Sequence, residues 1–130
     1  MRRYSKDQSA TGTPYVRDVT VHSTSGNAAV TTGAHRIYND TGETLTIVAV
    51  RASVGTAPTG SGLTVDVRKG GTSLWSVAGN RPTIAVSTNT IKATNMTTTT
   101  WEDGTYLTVD IASVGSTVPG ANLTVQVVVA

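Results

Sequence analysis

The sequence predicts an all-β domain: an eight-stranded antiparallel jelly-roll-like β-sandwich with an extended N-terminal arm. Three observations carry this. The chain is dominated by threonine and valine and has no phenylalanine, and β-branched side chains, stiff at χ1, favour extended backbone over helix. From residue 35 onward, apolar and polar residues alternate in segments punctuated by turn residues roughly every 8–12 positions, the spacing of a sandwich or barrel. A sixteen-residue stretch also recurs 60 positions later.

Residues 1–32 are read as the arm and 33–130 as the sandwich. The first segment is rich in Ser, Thr and Gly and has one alternation, Val16, Val19 and Val21. It has too little apolar surface to offset an ordering entropy of roughly 1–2 kcal/mol per residue. It is therefore expected to lie on the domain, on a sister chain or on another protein. Strands are predicted near 35–39, 44–53, 62–69, 72–78, 82–87, 91–97, 105–114 and 121–129. Leu63, Val65 and Val67 alternate with Thr64, Asp66 and Arg68, and Leu107, Val109 and Ile111 with Thr108 and Asp110. In the last segment Leu123, Val125, Val127 and Val129 alternate with polar Thr124 and Gln126. This period of two buries one face of each strand. Turns are expected at Asn39-Asp40-Thr41-Gly42, Lys69-Gly70-Gly71-Thr72 and Glu102-Asp103-Gly104.

The repeat pairs residues 52–67 (ASVGTAPTGSGLTVDV) with residues 112–127 (ASVGSTVPGANLTVQV). Nine of the sixteen positions are identical: Ala52, Ser53, Val54, Gly55, Gly60, Leu63, Thr64, Val65 and Val67 recur as Ala112, Ser113, Val114, Gly115, Gly120, Leu123, Thr124, Val125 and Val127. Each copy is a strand, a glycine-bounded loop with a proline, and a second strand. Two such units half a domain apart fit equivalent positions in two facing sheets, as in a double-wound Greek key or jelly roll. A solenoid or propeller needs at least about three copies.

Composition narrows the function. Without cysteine there is no disulfide framework and no thiolate zinc site. Met1-Arg2-Arg3-Tyr4-Ser5-Lys6-Asp7 is followed by no apolar h-region and no run long enough to span a bilayer, so the chain is expected to be made in a cytoplasm, to stay soluble and to have no membrane partner. A formal charge of +2, with basic residues scattered apart from Arg2, Arg3 and Lys6, argues against nucleic acid, which needs several clustered phosphate contacts.

No motif carries catalysis. Gly55 to Gly62 has the outline of a phosphate cradle but lacks the lysine and lies between strands, and its copy at Gly115–Gly120 lacks it too. His22 and His35 have no third ligand at metal-binding spacing. There is no G-x-S-x-G elbow. Asp66 and Asp110 fall on outward strand positions, and Glu102 and Asp103 in a turn, which reads as solvated polar face and turn chemistry instead of a glycosidase pair. The expectation is a non-enzyme with no cofactor and no metal. Trp75 and Trp101, with Tyr38 and Tyr106, are the large aromatics of the body. Lacking phenylalanine, a sandwich needs some of them inside, so core or interface is favoured for the tryptophans over a sugar-stacking platform. Asn-x-Thr sequons at Asn39, Asn95 and Asn122 carry no weight in so threonine-rich a chain.

From His35 onward the chain resembles a domain of virion proteins of tailed bacteriophages, particularly those of actinobacterial hosts. The matching pieces are Tyr38-Asn39-Asp40-Thr41-Gly42, Ala52 through Gly60, Val65-Asp66-Val67 with Lys69 and Gly71-Thr72-Ser73, Asn80-Arg81-Pro82-Thr83-Ile84, and Asp103-Gly104 through Gly115-Ser116-Thr117. Where that family often has Asn-Gly after the lysine, this chain has Gly70-Gly71, which keeps the turn. The resemblance implies a virion part on head or tail and no catalytic residues. A single domain with a basic arm is similar to capsid decoration, or cement, proteins, which implies the major capsid protein as partner, a homo-oligomer with a trimer favoured, and a place on the capsid surface. Arg2, Arg3, Tyr4, Lys6 and Tyr15 are the expected arm contacts. The alternative is a tail or head-fibre receptor-binding module that takes host glycan through loops 55–62 and 115–121 or through Trp101.

Overall fold

The computed structural model describes residues 16–130. These form ten strands and one 3₁₀ turn, Ala78–Asn80: β1 (Arg17–Ser23), β2 (Thr31–Tyr38), β3 (Leu45–Ser53), β4 (Leu63–Lys69), β5 (Thr72–Ser73), β6 (Thr83–Ile84), β7 (Thr90–Ala93), β8 (Thr100–Trp101), β9 (Tyr106–Ser113) and β10 (Thr124–Val129). They make two antiparallel sheets. One has the order β1-β10-β3-β7, with β8 also on β3; the other has the order β2-β9-β4-β5, with β6 also on β4. The chain is thus an all-β, two-sheet structure, with more strands than the sequence predicted.

The facing sides of the two sheets are the alternating residues. Leu63, Val65 and Val67 of β4, Leu107 and Val109 of β9, and Val125, Val127 and Val129 of β10 are fully enclosed. On β3 the inward set changes parity, from Leu45 and Ile47 to Val50 and Ala52. The cause is a bulge: Val128 of β10 pairs Ala49 while Val129 pairs Ile47, so Val48 is an extra residue. With no phenylalanine to fill the centre, Trp75 and Trp101 do so, at 1 % and 2 % exposure.

Three strands depart from expectation. β1 lies inside the segment read as an arm, yet it pairs β10 from Arg17↔Val129 to Ser23↔Thr124. It also inserts Val21 into the core. A strand with so few large side chains is stable here because β10 supplies its ladder and most of its apolar surroundings, information that is not local to residues 17–23. Residues 17–23, within the segment read as an arm, are thus a strand of the first sheet. β8 has two residues, too few to show a period. The strand predicted over 72–78 stops at Ser73, because Leu74 and Trp75 both turn into the core.

β2 is irregular. Its pairs with β9 run Thr31↔Ile111, Ala34↔Val109 and Ile37↔Leu107, so three residues span what two span opposite. The extra residues are accommodated at Gly33 and His35, both with positive φ.

Candidate functional site

The two copies of the repeat are the two crossings between sheets: β3 to β4 in one direction, β9 to β10 in the other. Their loops meet at one end of the sandwich and zip together. Thr56 pairs Ala121 and Thr59 pairs Val118 as antiparallel bridges. Thr59 N–H donates to Val118 O at 2.9 Å, Thr117 N–H to Thr59 O at 3.0 Å, Ala121 N–H to Thr56 O at 3.1 Å and Gly55 N–H to Ala121 O at 2.9 Å. The glycines are spacing elements. A side chain on Gly115 would meet the carbonyl oxygens of Val118 and Thr59, and one on Gly60 would meet Ser116 and Thr117. The hydrogen-bonding capacity of both loops is thus largely spent on each other, and this end is a closed lid instead of an open cradle.

A polar cluster lies on the outer face of the second sheet, where Asp66 of β4 stands directly opposite Asp110 of β9. Arg68 Nε lies 2.8 Å from Asp110 Oδ2 and 3.3 Å from Asp66 Oδ2, and Arg81 Nη2 is 3.6 Å from the same Asp66 oxygen. Ser73 Oγ donates to Asp66 Oδ1 at 2.6 Å, and Gly33 N–H to Asp110 Oδ1 at 2.6 Å. Asp66 is 1 % exposed. The outward direction was legible in the alternation, but solvation was not: Ser73 and Arg81 come from the segment that follows β4 and cover the carboxylate. Each aspartate is occupied by arginine and by a short hydrogen bond. The arrangement clamps the 73–81 segment and β2 to the sheet.

A second polar hub is Asn39, 2 % exposed. Its Nδ2 donates to Glu43 O at 2.8 Å and Trp101 O at 2.7 Å, while its Oδ1 accepts from Thr41 N at 3.0 Å and Thr41 Oγ1 at 2.7 Å. Gly42 N–H donates to Asp103 Oδ1 at 2.7 Å. The two turns foreseen from Asn39-Asp40-Thr41-Gly42 and Glu102-Asp103-Gly104 are therefore joined. Beside them Lys69 Nζ sits 2.8 Å from Glu102 Oε1, and this hydrogen bond holds the exposed Glu102 carboxyl below its ordinary value.

The expected site residues fare unequally. Arg2, Arg3, Tyr4, Lys6 and Tyr15 lie outside the described residues. Trp101 is buried, and its indole N–H donates to Thr105 O at 3.2 Å. At 2 % exposure it leaves no free face in this chain on which a sugar ring could stack. His22 and His35 do meet, with ring centroids 5.0 Å apart in an edge-to-face arrangement. Among the described residues no three metal-ligating side chains lie together. His22 is 4 % exposed with neither ring nitrogen hydrogen-bonded, and burial, then the nearby His35, lowers its pKa.

Sequence reasoning missed an aromatic strip at one end of the second sheet's outer face. Tyr38 and Tyr106 are cross-strand partners with ring centroids 5.4 Å apart, and the Arg36 guanidinium sits 4.4 Å over the Tyr106 ring. Tyr38 is 48 % exposed. The signal, Tyr38 just before the turn at Asn39–Gly42 and Tyr106 just after the one at Glu102–Gly104, becomes readable only once β2 and β9 are known to be neighbours. The chain matches no protein-family model, no curated protein and no solved structure. No described helix is long and apolar enough to cross a membrane.

Proposed function

We propose that this protein is a structural part of a bacteriophage virion, a capsid decoration (cement) protein that binds and stabilises the major capsid shell. The observation that carries the reading is the division of the chain. A tightly internally bonded sandwich is preceded by fifteen residues containing Arg2, Arg3 and Lys6, three of the ten basic residues, joined to the body at the start of edge strand β1. Such a body supplies rigidity, and such a segment supplies contacts across subunit boundaries that add through avidity. No catalytic role is proposed, since the two paired carboxylates are both engaged by arginines.

The fold component of the proposal is a jelly roll. Support comes from the ladder: β1 pairs β10, β2 pairs β9, β3 pairs β7 and β4 pairs β5 and β6. With β5 and β6 counted as one broken strand and β8 set aside, each of eight strands pairs with the one equally far from the other end. That is the pattern of a long hairpin rolled into two sheets.

Deletion is the test. A chain lacking residues 1–15 keeps every described strand and should remain folded by circular dichroism while losing cosedimentation with expanded capsid shells. Undiminished binding would overturn the role of Arg2, Arg3, Tyr4, Lys6 and Tyr15. Light scattering of the pure protein addresses the favoured trimer. One observation favours the alternative, a receptor- or carbohydrate-binding module: the exposed strip of Arg36, Tyr38 and Tyr106, not Trp101 or the zipped loops, is the surface suited to a sugar ring. Glycan-array binding lost in Tyr38→Ala would establish it over decoration.

A further inference from the structure

β7 ends the first sheet on the side away from β1: it pairs β3, and no described strand pairs its other edge. The ladder fixes which backbone groups point off that edge. Val54 N–H donates to Asn89 O at 2.8 Å, and the pairs Ala52↔Ile91 and Val50↔Ala93 continue the same register in steps of two. Bonded positions alternate along an antiparallel pair, so Asn89, Ile91 and Ala93 turn their N–H and C=O groups toward β3. Thr90 and Lys92 turn theirs away from it. The side chains of Ile91 and Ala93 pack on the core, and a cleft of about 440 Å³ lies between residues 79–83 and residues 91–95.

This edge is positively charged. Lys92 stands directly opposite Arg51 of β3, and like charges so placed destabilise a sheet. Among the described residues neither has a carboxylate at ion-pair distance. Arg51 Nη1 donates to Thr90 Oγ1 at 2.9 Å, and Gln126 of β10, opposite Arg51 on its other flank, is neutral. The cleft adds Arg81, whose Nη2 is 3.6 Å from Asp66 Oδ2, and none of the described residues lining it is acidic.

We propose that β7 accepts an added antiparallel strand, an extended segment of a partner protein with an acidic residue opposite Lys92. The outward N–H and C=O groups of Thr90 and Lys92 supply its backbone bonds, as in strand addition to an exposed sheet edge. A carboxylate beside Lys92 adds to the row Gln126, Arg51, Lys92 the negative charge it lacks. The residues flanking that carboxylate fall on the other side of the pleat and face the cleft beside Ile91 and Pro82, which suits small β-branched side chains. A second copy is the wrong occupant, because its own β7, Thr90-Ile91-Lys92-Ala93, has no carboxylate to offer, and an edge lysine discourages such self-pairing. β7 and β1 are opposite edges of one sheet, so the added strand neither requires nor excludes the decoration reading.

The probe is a short synthetic peptide of alternating valine and glutamate, added to the isotopically labelled full chain without capsid. Amide shifts are expected at Thr90, Lys92 and the cleft residues, with hydrogen exchange slowed at the Thr90 and Lys92 amides. Exchanging the peptide's glutamates for lysines should weaken binding by up to about tenfold, and Lys92→Glu, at an exposed position, should reverse that preference. N-methylation of the glutamate amides removes the donors that face β7 and should abolish binding. A methylated peptide that binds as well as its parent would reduce the edge to a patch of charge and overturn the proposal. Equal binding of the glutamate and lysine peptides, shifts confined to other strands, or no shift at ~10 mM peptide would each overturn it as well.

Discussion

Gly55 and Gly115 occupy the same position in the two copies of the repeat, yet alanine at each should behave differently. At Gly115 the new Cβ would collide with two backbone carbonyls, those of Val118 and Thr59, and would lie 3.0 Å from Pro58 Cβ. Those carbonyls accept the hydrogen bonds that zip the loops, from Thr59 N–H and Thr117 N–H. Overpacking of this kind costs about 1–3 kcal/mol. Displacing the carbonyls also loses two or so hydrogen bonds at about 1 kcal/mol each, for a total of about 4 kcal/mol, or roughly 15 °C in Tm for a domain of this size. At Gly55 the Cβ presses on the Asn122 side chain, at 3.2 Å from Nδ2 and 3.4 Å from Cβ, and meets Ala121 O at an ordinary 3.8 Å. That side chain can yield by a few tenths of an ångström, and restricting the unfolded chain returns about 0.4–1 kcal/mol. Gly55→Ala should therefore stay within ~1 kcal/mol of the parent. Urea unfolding of the two variants, compared at equal m-value, measures the difference. Equal destabilisation, or a Gly115→Ala variant within ~1 kcal/mol of the parent, would refute the zipped-loop geometry.

Three further perturbations probe the rest of the body. His22 is buried and its pKa lowered from 6.5, so above about pH 6.5 it is neutral folded or unfolded. As the pH falls below that value the unfolded chain takes up the proton first, and stability should fall with a slope approaching ~1.4 kcal/mol per pH unit until the lowered folded-state value is reached. Urea titrations between about pH 8 and about pH 5 should show this acid loss, and His22→Asn should flatten it; an unchanged profile in the variant would assign the loss elsewhere. Asp66→Ala takes from Arg81 its carboxylate and from Arg68 one of two, Asp110 staying 2.8 Å from Arg68 Nε, and since Arg68 is partly solvated the expected loss is about 2–3 kcal/mol, below that of a fully buried pair. A loss under ~0.5 kcal/mol in chemical unfolding would count against the clamp. Asn39→Ala strands the Glu43 and Trp101 carbonyls and removes the Thr41 bonds, so ~2–4 kcal/mol should be lost, together with a red shift in tryptophan emission as Trp101 loosens.

Much of the body could be read from residues alone because a sheet's side chains alternate regardless of what they face. Leu63, Val65 and Val67, and Leu107, Val109 and Ile111, were placed inside by period two, and they are inside. The turns at Asn39–Gly42 and Glu102–Gly104 were legible because asparagine, aspartate and glycine have local reasons to be there. What failed were inferences that needed a neighbour. Residues 17–23 looked too polar to form a strand because their stabilising surface belongs to β10, more than a hundred residues away in sequence. Core or interface is what the sequence favours for Trp101, but nothing local says that Thr105 O accepts its indole N–H.

The same division governs the candidate surfaces. The sequence by itself determined the all-β class, the inward faces of the long strands and a repeat linking two strand–loop–strand units, since these follow from χ1 stiffness, the pleat and glycine's tolerance of turns. Only the tertiary structure decided that the repeat loops bind each other, that Asp66 and Asp110 face outward yet are covered, and that β7 keeps an unpaired edge among the described strands. Each of these rests on which distant backbone arrives opposite a given residue, and most of that pairing is set by the closing of the sheets, not by any run of adjacent side chains.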